Sequence, residues 1–199
     1  MLTDSQLETL ADKMDFKIAG IYYKDDIPRK VQFNKSYLIN MEDKYDASGN
    51  LSAGTHWVCF QSNKYPDGSI ESIYFDPYGI PPPENVKKVV KEATGKGLPY
   101  NTKDIQSLMN NACGWYCSAF LHFINGSPYR TKNLYQDVST FLDLFDDLNE
   151  SVDFKKNEFI LKHFFQSKDP KKRREIEVIS NPENIVNSDS GKGYDISKI

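Results

Sequence analysis

At 199 residues the chain can enclose one sizeable hydrophobic core, and its 39% hydrophobic and 27% charged content is that of an ordinary globular protein. No apolar run approaches the ~20 residues that cross a bilayer, and a net charge of −3 argues against a whole-surface electrostatic grip on nucleic acid while leaving local basic patches open. The opening MLTDSQLETL has no basic segment followed by an apolar one, so no secretory signal is expected, and an odd number of cysteines, three, fits a reducing, intracellular setting.

Residues 3–14 carry Leu7, Leu10, Ala11 and Met14 on one helical face, and Thr3 with Gln6 has capping-box spacing, which predicts a short amphipathic helix. Strand-like runs follow at 18–23 and 36–41, separated by the charged, proline-containing loop KDDIPRK. A polar stretch, 42–54, leads into a hairpin of 56–61 and 70–76 around the turn YPDGS. There Pro66 presets φ and Gly68 accepts a positive one. Pairing outward from the turn brings His56 within one or two positions of Asp76 at the same open end of the sheet. Cross-strand Cβ atoms lie roughly 4.5–5.5 Å apart, so an imidazole–carboxylate hydrogen bond is within easy reach.

Beyond Asp76, residues 84–93 predict a helix stopped at Gly95, and 100–105 a further strand. Cys113, Tyr116, Cys117, Phe120, Leu121 and Ile124 then share one face of a helix ending at Asn125 and Gly126. Being apolar nearly all round, it is expected to be central and buried. Residues 134–148 and 158–165 predict two more helices. From 166 onward large apolar residues thin out into a polar tail, 166–199, with the basic cluster KDPKKRR at 168–174.

Two of the three cysteines lie four residues apart in the central helix. Cys113, in the first turn, meets the unpaired N–H groups and positive end of the helix dipole, which favour thiolate. Cys117, one turn deeper, is expected to stay a packed, neutral thiol. Gly114 is expected to let a substrate backbone approach. The Cys113 amide can help hold an oxyanion, with Gln106, at the end of the expected strand, offering its side-chain amide to the same atom. A nucleophilic thiol needs a base. Of the three histidines, His122 lies too far along the helix of Cys113 and His163 sits beside phenylalanines in a late helix, so both read as structural. His56 remains, with Asp76 to orient it and Trp57 to shield the imidazole or limit solvent.

At these residues the chain resembles the adenovirus-type cysteine proteases, the adenain family, within the larger group that includes proteases of ubiquitin-like modifiers. The resemblance lies in GTHW at 54–57, YFDPYG at 74–79, and Gln106 followed at matching spacing by ACGWYC at 112–117 and FLH at 120–122. It covers roughly residues 1–165, weakly between the motifs, and the first helix and the run 18–23 share in it. It implies an α+β, papain-like fold: a mixed central sheet packed by helices, with the nucleophile at the start of a central helix. By the same resemblance Cys113 is the nucleophile, His56 the general base, Asp76 its orienting acid, and Gln106 with the Cys113 amide the oxyanion hole.

What the resemblance implies for function is a monomeric cysteine endopeptidase of residues 1–165, needing no cofactor or metal. Its substrates are viral capsid or core precursor polypeptides, and its places the virion and the host cytoplasm or nucleus; similar proteases occur in virophages and virus-like transposons. Two departures matter. The acidic residue is Asp76 where adenain has glutamate, as in the modifier proteases. No cysteine lies between Cys59 and Cys113, so adenain's disulfide link to an activating peptide is impossible at the matching position. The cluster 168–174 is the one place where DNA could be held, although a solvated tail is the expected reading. Three rivals remain open: a modifier protease, an acetyltransferase using the same triad, and a non-catalytic binding module.

Overall fold

The computed structural model describes residues 1–108, 110–126, 133–148 and 154–166. The basic cluster at 168–174 and the side chain of His163 lie outside the described residues. Within them five helices and a four-stranded mixed sheet form an α+β fold. No described helix is long and apolar enough to cross a membrane.

Helix α1 (Asp4–Lys13) opens as the sequence predicts, with Gln6 N–H donating to the Thr3 hydroxyl and Thr3 N–H donating to the Gln6 side chain. Such a cap typically contributes about 1 kcal/mol. Strands β1 (Ile18–Tyr23), β2 (Ser36–Asn40), β3 (Trp57–Lys64) and β4 (Ile70–Phe75) lie in sequential order. The β1–β2 pair is parallel and the other two antiparallel. The β3–β4 turn closes through Gly68 N–H to Tyr65 O (2.9 Å), with Gly68 at φ 84°.

Period-two alternation sorts the strand residues onto two buried faces. Leu38, Trp57, Cys59, Ile73 and Phe75 point to the larger cluster, with α1, α3 (Cys113–Asn125), α4 (Leu134–Leu142) and α5 (Phe154–Gln166). Tyr37, Ile39, Val58, Phe60 and Tyr74 point the other way, against Val86 and Val90 of α2 (Glu84–Thr94) and Leu98. The sheet is therefore the middle of three layers. Helix α3 is buried on nearly every side, as its composition predicts. Phe75 stacks on Phe120 (ring centroids 4.2 Å apart), and Phe141 meets both edge-on. Aromatic pairs of this kind contribute about 0.5–1.5 kcal/mol beyond burial, and here they tie α3 and α4 to β4.

Several predicted boundaries shift, and one predicted strand does not form. Strand β3 runs on to Lys64 because polar Ser62 and Asn63 find partners inside the fold: the hydroxyls of Ser62 and Ser72 lie 2.8 Å apart, and Gln61 donates to Asn63. Residues 100–105 are not a strand. Tyr100 makes one parallel bridge to Tyr74, after which the backbone donors of Ile105 and Gln106 both turn to Pro77 O (2.9 and 3.1 Å). Helix α4 stops at Leu142 instead of 148, and α5 begins at Phe154 instead of 158.

Candidate active site

His56 immediately precedes β3 and Asp76 immediately follows β4. Cys59 pairs with Phe75. Continuing that register sets Val58 opposite Asp76 and His56 opposite Tyr78, so Asp76 is the diagonal neighbour on the His56 face. The two side chains meet, His56 Nε2 lying 2.8 Å from Asp76 Oδ1. Only 12% of the His56 side chain and 1% of the Asp76 side chain are exposed. Asp76 Oδ1 also accepts from Tyr78 N–H (2.8 Å).

With a carboxylate on Nε2, that nitrogen carries the hydrogen and Nδ1 is left over. Nδ1 is buried and makes no well-formed hydrogen bond, yet Cys113 lies near enough to influence it. Burial alone would depress the imidazole's pKa. The hydrogen bond to Asp76, the approach of the Cys113 sulfur and the electrostatic interaction with both overcome that penalty and push it up to about 9. His56 is therefore cationic at neutral pH, with an acid on one nitrogen and a sulfur beside the other.

Cys113 is the first residue of α3, as expected, and is 1% exposed. The helix's N-cap is Ala112, which offers no side-chain oxygen to the opening N–H groups. Cys117 packs one turn below, donating its thiol to Trp57 O (3.3 Å). Burial, then contact with Cys59, raises its pKa well above the ordinary value, in line with the expected inert thiol. His122 is a structural residue: Nδ1 meets Met14 O and the ring lies edge-on to Phe164.

Gln106 reaches the site from a loop rather than from a strand end. Its backbone is held to Pro77, and its buried side chain donates through Nε2 to Tyr78 Oη (3.3 Å) and Asn110 O (3.2 Å). A carbonyl can only accept, so the contact with Asn110 O fixes which end of the carboxamide is nitrogen. Asn157 steadies the same loop, donating to Ile105 O (3.1 Å) and Asp146 O (2.7 Å) and accepting from Asp146 N–H (2.8 Å).

Two expectations are corrected. The ring against the imidazole is Tyr78 (centroids 4.3 Å apart, 19° between planes), whereas Trp57 turns into the core and donates to Leu2 O (2.9 Å). Gly114 faces Leu2 and Leu7 rather than an open approach: an added Cβ would lie 3.1 Å from Leu2 Cδ1 and 3.3 Å from Leu7 Cδ2. Its smallness serves the packing of the N-terminal segment. Sequence reasoning also passed over Asn101, whose side chain binds the main chain of Asp76. For Tyr78 a signal existed, since the hairpin register sets it opposite His56. No family model matches the chain, and no curated protein matches it either.

Proposed function

We propose that the chain is a cysteine endopeptidase of papain-like, adenain-like architecture, using Cys113 as nucleophile, His56 as base and Asp76 as orienting acid. The observation that carries this reading is the 2.8 Å contact of His56 Nε2 with Asp76, which leaves Nδ1 for a cysteine at a helix N-terminus. A raised imidazole pKa supports it further, because a cationic ring beside the sulfur favours a thiolate–imidazolium pair.

In the first step the Cys113 sulfur bonds to a peptide carbonyl carbon and the carbonyl π pair moves onto oxygen. Collapse of that oxyanion restores the C=O and breaks the C–N bond, while His56 gives its proton to the departing amine. An acyl thioester remains. Water, deprotonated by His56, then attacks the thioester and releases the acid and the free sulfur. By the resemblance the substrates are viral capsid or core precursors, processed in the virion or in the host cytoplasm or nucleus.

The test is purified full-length chain with a candidate capsid precursor. Cleavage that is lost in both Cys113→Ala and His56→Ala supports the proposal, and cleavage that persists in Cys113→Ala ends it. A modifier protease is the second reading, favoured by aspartate rather than glutamate at position 76. It predicts that a ubiquitin-like probe ending in an electrophilic Gly-Gly analogue is captured on Cys113.

A further inference from the structure

Gln106 is short of donors for the task assigned to it. Its side-chain nitrogen has two hydrogens, and both are engaged, one by Asn110 O at 3.2 Å and the other by Tyr78 Oη at 3.3 Å. To donate directly to an oxyanion it would have to abandon one of them. Because Tyr78 Oη accepts from Gln106, its own hydrogen is directed away from Gln106, and it meets no acceptor among the described residues.

We propose that the hydroxyl of Tyr78 is the side-chain donor to the oxyanion formed at Cys113, and that Gln106 acts through it as a positioning residue. This rests on the protease reading. The ring is held in three ways: its face on His56 at 4.3 Å, its backbone N–H on Asp76 Oδ1 at 2.8 Å, and its oxygen on Gln106. A donor so fixed needs no reorganisation when charge develops, which is the condition under which such hydrogen bonds accelerate acyl transfer most. The hydroxyl is within electrostatic reach of Cys113. Its pKa is pushed up to about 12, first by burial and then by electrostatic interaction with Cys113, Asp76 and Asp104. It therefore shares its proton with the oxyanion without surrendering it. As the carbon–sulfur bond forms, the oxygen bearing the π pair takes hydrogen bonds from Cys113 N–H and Tyr78 O–H. When the C–N bond breaks, Tyr78 keeps its hydrogen and the amine takes its proton from His56.

The experiment compares the full-length chain with Tyr78→Phe, which keeps the ring on His56 and removes only the donor. Turnover of a fluorogenic Leu-Gly-Gly aminomethylcoumarin peptide should fall on the order of 100-fold in kcat with little change in KM, as for loss of an oxyanion donor elsewhere. Alkylation of Cys113 by iodoacetamide, which forms no oxyanion, should be unchanged. Gln106→Ala should add little in the Tyr78→Phe background, since the two act as one unit. Equal turnover by Tyr78→Phe overturns the inference, and so do slowed alkylation, which would assign the hydroxyl to the thiolate, and fully additive losses, which would make Gln106 a direct donor. Should the Phe variant not fold, as judged by thermal melting, trifluorotyrosine at position 78 serves instead: a stronger donor that shifts kcat supports the inference, and an unaltered kcat overturns it. A native chain that is alkylated yet neither turns over the peptide nor binds acetyl-Leu-Gly-glycinal removes the protease reading and the inference together. Native turnover matched by the Phe variant removes the inference alone.

Discussion

Asn101 holds Asp76 by both ends of its main chain, accepting from the Asp76 N–H at 2.9 Å and donating to the Asp76 C=O at 2.7 Å. The same Nδ2 also reaches Lys103 O (3.1 Å), so one buried side chain joins the end of β4 to the loop that carries Gln106. The acid at position 76 is thus aimed at His56 by a residue that does not touch the imidazole.

Asn101→Ala should therefore destabilise the fold and misalign the site together. Leaving a buried main-chain group unpaired costs about 1–3 kcal/mol, and here the Asp76 N–H is left so, while the Asp76 C=O keeps only the Gly79 N–H. Urea unfolding should give a loss of about 2 kcal/mol or more, with turnover falling further than the remaining folded fraction explains. Asn101→Asp should be no better, because a carboxylate cannot donate to Asp76 O. Full turnover in Asn101→Ala would show that Asp76 is positioned by its strand alone.

The raised pKa of His56 fixes how stability varies with pH. The unfolded histidine titrates near its ordinary value of 6.5, and the folded one near 9. Because the folded state holds the proton more tightly, the contribution is fully present below about pH 6.5 and is lost as pH rises through 9. Its size is on the order of 3 kcal/mol. Unfolding free energies from pH 6 to 10 should decline across that window, and Asp76→Asn should flatten the decline by removing the largest interaction that raises the pKa. Cleavage should have an alkaline limb near the same pH, where the ring no longer supplies a proton to the departing amine. A stability profile that rises between pH 6.5 and 9 would contradict a cationic His56.

The cysteines should separate by chemistry, not by exposure. Cys113 is 1% exposed and Cys59 and Cys117 are 0%, a difference too small to direct a reagent. The imidazole beside Cys113 is the distinguishing feature. Limited iodoacetamide should label Cys113 first by mass spectrometry, and Asp76→Asn should slow that labelling. Cys117→Ala should keep turnover while losing about 1 kcal/mol for the thiol–Trp57 hydrogen bond and its packing.

Much of this was legible in the sequence wherever the cause is local. The capping box at Thr3 and Gln6, the run 18–23, the turn at 65–69 and the apolar helix from Cys113 follow from caps, period and turn chemistry acting over a few residues. The His56–Asp76 pair was legible too, because a hairpin converts spacing from its turn into proximity. What escaped is carried by side chains that bond to distant backbone. Asn101 reaches Asp76 across 25 positions and Asn157 reaches Ile105 across 52, and neither leaves a periodic trace. Trp57 is the sequence neighbour of His56. In a strand, however, successive side chains point to opposite faces, so the ring that covers the imidazole comes from the facing position, Tyr78.

The turn that presents Tyr78 depends on Gly79, and comparing it with Gly68 separates two penalties. Both have positive φ, 68° and 84°. An L side chain in that region costs roughly 1–2 kcal/mol. Around Gly68 nothing lies within 4 Å of an added Cβ, so Gly68→Ala should lose about that much stability and leave turnover intact. At Gly79 the same methyl would lie 2.6 Å from Thr102 O, a backbone atom that cannot swing aside. Gly79 N–H also closes the turn onto Asp76 O at 2.8 Å, so relief by movement must shift the segment between Asp76 and Gly79 against the loop leading to Gln106. Gly79→Ala should therefore cost more than Gly68→Ala in denaturant and, unlike it, depress turnover by drawing Tyr78 off His56 and Gln106. Equal stability losses in the two variants, with turnover unchanged in both, would mean that the turn can move without disturbing the site.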